Sequence, residues 1–443
     1  MTLWCERAAL ADDPGGPDRA GGGARLARGV RLDVDAAGII RSVSENTLPA
    51  SGDTLLGHVV PGFANGHSHL FHRALRGRTH DAGGDFWSWR DRMYGVAAAL
   101  DPERYHALAV AVFAEMLAAG YTAVGEFHYL HHRPDGSAYP HEMELAVDAA
   151  AREVGIRLTL LDTAYLAGGI GLPLAPAQRR FGDGGAKAYL ERWYALREFL
   201  PRLGAAVHSV RAVPPEALGM IAAGLPPEVP LHVHLSEQPR ENDDTRRAYG
   251  VSPTRLLHER GLLTPRLSVV HATHLDDDDL ALLGDAGVTV VMCPTTEADL
   301  GDGIGPARAL ADAGCPLAIG SDQNATVDPL LELRALELQE RLRALARGRF
   351  TPAELLTAGT SAGYRALGIP GGTIAVGSPC DLVELDAASV RTVGADPAQL
   401  VLAATSADVR RVIVGGRVVA GAGILADGRD PARLLATALE DLG

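Results

Sequence analysis

The chain predicts an α/β fold, a (β/α)8 barrel of the TIM type joined to a small β-sandwich domain formed by both chain termini. Three observations lead there. Short apolar runs alternate with longer helical patterns through the middle of the chain, eight such runs can be counted, and polar residues gather just after most of them. The two ends of the chain share a different texture of short β-like pieces, so the middle reads as an insertion between halves of one small domain. The boundaries that follow are 1–60 and 374–443 for the β domain and 61–373 for the barrel.

In chain order, a Gly/Pro-rich turn region at 13–23 precedes two short strands at 29–34 and 38–43. The apolar run before His67 is the first barrel strand. The others are 122–128, 157–162, 205–210, 230–235, 267–271, 288–293 and 316–320. Beyond residue 374, 381–385 and 412–419 read as strands around a Gly415-Gly416 turn.

Composition narrows the function classes. With 443 residues, 47% of them hydrophobic and 22% charged, the chain can bury an enzyme-sized core. A formal charge of −14 and a pI near 5.6 argue against nucleic-acid and anionic-membrane partners. The start, Met1-Thr2-Leu3-Trp4-Cys5, lacks a basic segment followed by an apolar signal core, and no apolar run reaches spanning length, so the cytoplasm is the expected location. Cys5, Cys293, Cys315 and Cys380 are scattered, which suggests reduced thiols and no thiolate metal site. Cys293 reads as a small buried hydrophobe.

The chemistry lies at the strand ends. His67 and His69 sit two apart and would project from one face of a strand. Strand five ends in His232-Val233-His234-Leu235-Ser236-Glu237, strand six in His271-Ala272-Thr273-His274, and strand eight in Gly320-Ser321-Asp322-Gln323-Asn324. A catalytic zinc needs three or four N/O ligands and an open position for water. His67, His69, one strand-five histidine and Asp322 supply that set.

This pattern resembles the amidohydrolase superfamily, with His-x-His on strand one, histidines on strands five and six, and Asp on strand eight. The resemblance selects His234 over His232 through the spacing His234-x-x-Glu237 and leaves His232 as a neighbour. Because strand four ends in His208-Ser209-Val210-Arg211 rather than a bridging Lys or acid, it implies one divalent metal, Zn2+ ahead of iron. The implied catalytic residues are Asp322, which ligates and accepts the water's proton, His271, which hydrogen-bonds the nucleophile, and Glu237, which passes a proton to the departing nitrogen. As a structural alternative, Glu237 would simply open the next helix.

Four further stretches bear on the substrate: His72-Arg73-Ala74-Leu75 with Phe86-Trp87-Ser88-Trp89-Arg90, Glu126-Phe127-His128-Tyr129, His208-Ser209-Val210-Arg211-Ala212-Val213, and the strand-eight loop. Together they resemble the formimidoylglutamate deiminase branch of the superfamily. That resemblance implies Arg90, Tyr129, His208 and Arg211 as substrate-binding residues, with His72 standing where some members carry Gln. Two arginines suit two carboxylates, since the guanidinium fork matches carboxylate geometry. The expected partner is thus a small dianionic substrate, N-formimino-L-glutamate, and the expected products are N-formyl-L-glutamate and ammonia. Expulsion of the glutamate nitrogen instead would give formamide. A homodimer is the expectation for the assembly. Rival readings are a deaminase of an aminated purine, pyrimidine or triazine ring and a metal-free binding protein that keeps only the barrel.

Overall fold

The computed structural model describes residues 1–11, 24–79, 86–200 and 202–442, apart from the side chains of 86–91. The Gly/Pro-rich turn region at 13–23 therefore lies outside the described residues. Two eight-stranded sheets organise the rest. The first is parallel and runs in chain order through β5 (Phe63–Ser68), β6 (Tyr121–His128), β7 (Arg157–Ala164), β8 (Leu203–Val207), β9 (Leu231–Leu235), β10 (Leu267–His271), β11 (Thr289–Met292) and β12 (Leu317–Ile319). Every residue of β5, β6, β8, β9, β10, β11 and β12 is buried, as a sheet covered on both faces requires. The β/α alternation read from the sequence is this barrel.

The second sheet draws on both termini. Its order is β3 (Ile40–Ser44), β2 (Ala24–Val34), β1 (Thr2–Ala11), β4 (Thr54–Pro61), β13 (Leu382–Leu385), β14 (Val409–Val414), β15 (Arg417–Gly421) and β16 (Ile424–Leu425). Three of these, β1, β4 and the two-residue β16, are absent from the strands read in the sequence. β1 carries three alanines in its last four positions, which blunts a β signal. β4 was hidden because it and β5 form one continuous apolar run. The structure divides that run at Gly62: Pro61 still pairs with Leu382 in the terminal sheet, while Phe63 pairs with Tyr121 in the barrel.

Gly62 is required at the switch. A Cβ there would lie 2.1 Å from Thr122 Oγ1, which itself donates to Phe63 O (3.0 Å) and contacts Tyr364 Oη (2.8 Å), so it is not free to yield. Gly62 N donates to Asp381 O (2.8 Å), and the Asp381 carboxylate accepts two bonds from Arg157 (2.6 and 2.8 Å) and one each from Tyr364 Oη (2.9 Å) and Gly415 N (2.7 Å). Arg157 opens β7, so this junction sits at the N-terminal end of the barrel strands. The opposite end is left for the site.

Helices cover the barrel. The first two, α1 (Phe86–Ala99) and α2 (Pro102–Ala119), follow β5. Asp101 caps α2 through Arg104 N, Pro102 occupies its first turn, and Gly120 at φ 105° ends it. Next come α3 (Glu142–Val154), α4 (Ala186–Arg197), α5 (Pro215–Gly224), α6 (Pro239–Tyr249), α7 (Pro253–Glu259), α8 (Asp277–Asp285) and α9 (Pro294–Leu300). Among the described residues no helix is long and apolar enough to cross a membrane.

Gly62→Ala is expected to lower unfolding stability by about 1–3 kcal/mol, the usual cost of overpacking a filled interior. Denaturant titration checks this, and the added cost should shrink when Gly62→Ala is made in a Thr122→Ala background, because the two residues compete for one space.

Candidate metal centre and active site

The barrel closes at its C-terminal end through the residues that carry the chemistry. Ser68 and Asp322 form a parallel bridge, in which Asp322 N donates to His67 O (3.0 Å) and His69 N donates to Asp322 O (2.8 Å). Side chains reinforce it: Asn65 Nδ2 donates to Ser321 Oγ (2.5 Å), Asn65 Oδ1 accepts from Ser321 N (2.9 Å), and Asn324 Nδ2 donates to Ser68 Oγ and His69 O (3.1 Å each). Asp322 and Asn324 hold φ of 44° and 55°, unusual for residues with a Cβ and a sign that the loop is held by its contacts.

The bridge brings His67, His69 and Asp322 together, and β9 adds His234. His67 Nε2 lies 3.2 Å from Asp322 Oδ1 and 3.1 Å from His234 Nε2, and His69 Nε2 lies 3.4 and 3.3 Å from the same two atoms. The tautomers follow from the other ring nitrogens. His69 Nδ1 donates to Phe127 O (3.1 Å) and His234 Nδ1 to His208 O (3.0 Å), leaving Nε2 lone pairs that point at one another. Burial pushes His67 down to about 3, against the pull of Asp322, and lowers His69 and His234 as well. Asp322 is buried too, yet its hydrogen bond to His67 and the surrounding imidazoles hold it far below the usual carboxylate range. Three neutral imidazoles and one carboxylate with converging lone pairs repel one another unless a cation lies between them. Zinc bonds of about 2.0–2.1 Å give a tetrahedron with edges of roughly 3.3 Å, which the four donor separations match. The residues fit the metal.

His271 stands beside this group, its Nε2 3.8 Å from Asp322 Oδ2 and 4.0 Å from Glu237 Oε1. Burial disfavours its charge, but Glu237, Glu297 and Asp322 together raise its pKa to about 10. Glu237 lies two residues ahead of α6, where Gln238 is the N-cap, and its carboxylate faces the cavity rather than opening the helix. His232 points elsewhere, with Nε2 donating to Ala366 O (2.9 Å). Cys293 is buried and its sulfur approaches His271 and Asp322.

A cavity of about 670 Å3 opens over the cluster, lined by His69, His72, Tyr129, His208, Arg211, Glu237, His271 and Asp322. His72 Nε2 is 3.1 Å from Tyr129 Oη. The expected strand 205–210 ends early, at Val207, because Ser209 O accepts from Ala212 N and Val213 N and turns the chain toward α5. That turn aims His208 and Arg211 into the cavity. Arg211 Nη2 lies 3.5 Å from Glu237 Oε2 and its Nε 3.0 Å from Glu241 Oε2. Arg90 belongs to α1, but its side chain lies outside the described residues.

Several wall residues escaped the sequence reading. Tyr165 and Phe181 line the cavity, and Gln178 Nε2 donates to both Tyr94 Oη (3.0 Å) and Tyr165 Oη (2.9 Å). Arg180 is buried and donates to Ala97 O and to Leu100 O (3.2 Å), tying α1 to the Gln178 segment. Tyr165 directly follows β7 and carried the strand-end signal; Gln178 and Arg180 carried none. Below the wall, His128, His131 and Glu144 gather, but Arg192 reaches Glu144 (3.4 Å), Asp162 (2.7 Å) and Asp183 (2.6 Å), supplying the positive charge that a metal would otherwise bring.

The Amidohydrolase family profile matches residues 58–419. The chain belongs to the amidohydrolase family. It is 38% identical to the formimidoylglutamate deiminase of Pseudomonas aeruginosa, over 94% of this chain and 96% of that one. An amidohydrolase structure from Brucella melitensis superposes with a TM-score of 0.90 at 32% identity, covering 100% of this chain and 99% of the other. A zinc-bound adenosine deaminase from Xanthomonas campestris gives 0.82 at 25% identity, covering 99% and 97%. Family membership makes the chain a hydrolase of C–N bonds.

Metal analysis separates the two strand-five histidines. Purified protein with His234→Ala or Asp322→Ala is expected to lose the roughly one equivalent of zinc that the intact four-ligand set holds through dialysis. His232→Gln is expected to keep it and to lose only about 1 kcal/mol of stability with its bond to Ala366 O.

Proposed function

We propose that this amidohydrolase converts N-formimino-L-glutamate and water to N-formyl-L-glutamate and ammonia, a step of histidine degradation carried out in the cytoplasm. The observation that carries the reading is a single cavity in which a fixed guanidinium, Arg211, and the Tyr129 hydroxyl share the walls with a convergent His/Asp donor set. The near full-length likeness to a formimidoylglutamate deiminase supports the same choice.

His67, His69, His234 and Asp322 would hold one divalent cation, with zinc favoured, and that ion supplies a water of lowered pKa as the nucleophile. The rest falls to side chains. Asp322 Oδ2 faces His271 Nε2, so the proton released by water has a carboxylate to receive it and an imidazole to orient the oxygen. Glu237, within reach of His271 on one side and open to the cavity on the other, delivers a proton to the departing nitrogen. Adding water across the C=N bond and expelling the terminal nitrogen as NH3 leaves the formyl oxygen in its place, so atoms balance. Arg211 takes a substrate carboxylate. Glu241 stabilises the guanidinium that binds it, and Ser236 N fixes Glu241 in turn (3.1 Å). Tyr129, His72 and His208 offer further donors, and Arg90 is assigned to the second arginine position from the sequence.

An aminated ring is the rival substrate, favoured by the aromatic wall of Tyr129, Tyr165 and Phe181 and by the likeness to an adenosine deaminase. A ring has no use for Arg211. Coupled ammonia release decides between them: zinc-loaded protein should turn over N-formimino-L-glutamate and leave adenine, guanine, cytosine and melamine untouched. Turnover of a ring alone would replace the proposed substrate. Arg211→Met should raise KM by roughly 30-fold or more, the usual loss when one partner of a desolvated charge pair is removed, with bound zinc unchanged.

A further inference from the structure

We propose that Glu297 is a positioning residue for His271, holding the imidazole so that Nδ1 keeps its proton toward Glu297 and Nε2 faces the gap between Asp322 and Glu237. The proposal rests on reading the barrel mouth as a hydrolytic site and is independent of which substrate enters it.

Glu297 sits in the first turns of α9 and is fully buried. Its Oε1 accepts from Cys293 N (2.9 Å) and lies 3.4 Å from His271 Nδ1. The first contact ties the carboxylate to the start of its own helix; the second aims it at the histidine. Oε2 is buried without a hydrogen-bond partner. A side chain needed only to satisfy Cys293 N could be neutral, since an incompletely bonded buried carboxylate is costly to keep. Its charge is accounted for by the imidazole opposite.

His271 needs such a partner because the backbone does not fix its ring. At φ 70° it sits at the centre of a three-residue turn, with Ala272 N donating to Val270 O (3.0 Å), and Ala272 follows at φ 53°. The strand ends at His271, so ring direction depends on side-chain contacts. With Nδ1 held by Glu297, the other nitrogen can only look toward Asp322 Oδ2 (3.8 Å) and Glu237 Oε1 (4.0 Å). This is the logic by which a buried acid sets the tautomer of a catalytic histidine elsewhere, reached here from the helix that follows the neighbouring barrel strand.

The test uses zinc-loaded full-length protein labelled with 15N-histidine, with His271→Asn identifying the His271 signals. The expected wild-type spectrum shows Nδ1 of His271 protonated, and Glu297→Gln, which keeps an oxygen for Cys293 N, shifts the His271 signals while leaving the other histidines in place. A bare Nδ1 in the wild type overturns the proposal, and that spectrum decides even if the variant does not fold. In ammonia-release kinetics, Glu297→Gln should lower kcat by roughly 100-fold, the scale of a misplaced acid–base group, with KM and bound zinc within about twofold. An unchanged kcat, or a fall in kcat matched by loss of zinc and a rise in KM, would sink it. If the wild type does not act on N-formimino-L-glutamate, the substrate assignment fails while the spectrum still judges Glu297.

Discussion

The two backbone hydrogen bonds between His67, Asp322 and His69 are the constraint on which the site depends. They join the first and last strands of the barrel, and they set the distance between ligands more than 250 residues apart in sequence. A barrel has to close somewhere, and closing it here makes the strongest structural requirement of the fold coincide with the donor geometry. Gly320 shows how close the approach is: a Cβ there would lie 2.9 Å from both His67 Cβ and His67 O. Any residue larger than glycine would push the first strand away and open the cluster. The left-handed Asp322 and Asn324 then follow from the need to turn the chain sharply while still presenting a carboxylate inward.

Charge explains why the cluster needs a second layer. Around the histidines stand Asp322, Glu237, Glu297 and Glu241, and Asp302, whose pKa burial and Glu237 push up to about 8. Acids packed this densely in a dry site repel one another unless cations are interleaved. Arg211 is one such cation, placed between Glu237 and Glu241, His271 is a second, and the metal would be a third. The same guanidinium that offsets these acids is then the group proposed to meet a substrate carboxylate, because a planar fork has donors left over after two ion pairs.

The parts legible in the sequence were those repeated at a regular spacing or confined to a strand end. Eight apolar runs with polar residues after them yield the barrel, and His67, His69, His271 and Asp322 each stand at the end of such a run, whereas strand five offers both His232 and His234 and only the family resemblance chooses His234. β4 could not be read because its apolar run continues unbroken into β5, and only the space around Gly62 shows where one sheet hands over to the other. Glu297, Gln178 and Arg180 were missed for a different reason. They act through contacts between segments far apart in the chain, from positions within helical turns or loops where Glu, Gln and Arg are ordinary surface residues. Nothing local distinguishes a buried Arg180 from a solvated one.

The buried network beneath Tyr129 shows what such long-range contacts are for. β6 ends at His128, Tyr129 enters the cavity, and two residues later the chain is anchored again. His131 Nε2 donates to Thr163 O (2.9 Å), so the short contact of its Nδ1 with Glu144 (2.8 Å) requires a second proton on the ring. Burial and Arg192 oppose that charge, but Asp162 and Glu144 outweigh them and raise the pKa of His131. Arg192 closes the network by bonding Asp162 and Asp183. Burying this many charges adds little to stability and can subtract from it, so its value lies elsewhere. Each ion pair admits one geometry, and together they leave the His128–His132 segment a single path. Tyr129 is thereby pinned from below while His72 meets its hydroxyl from the side, which is what its proposed role in recognising a substrate carboxylate would require.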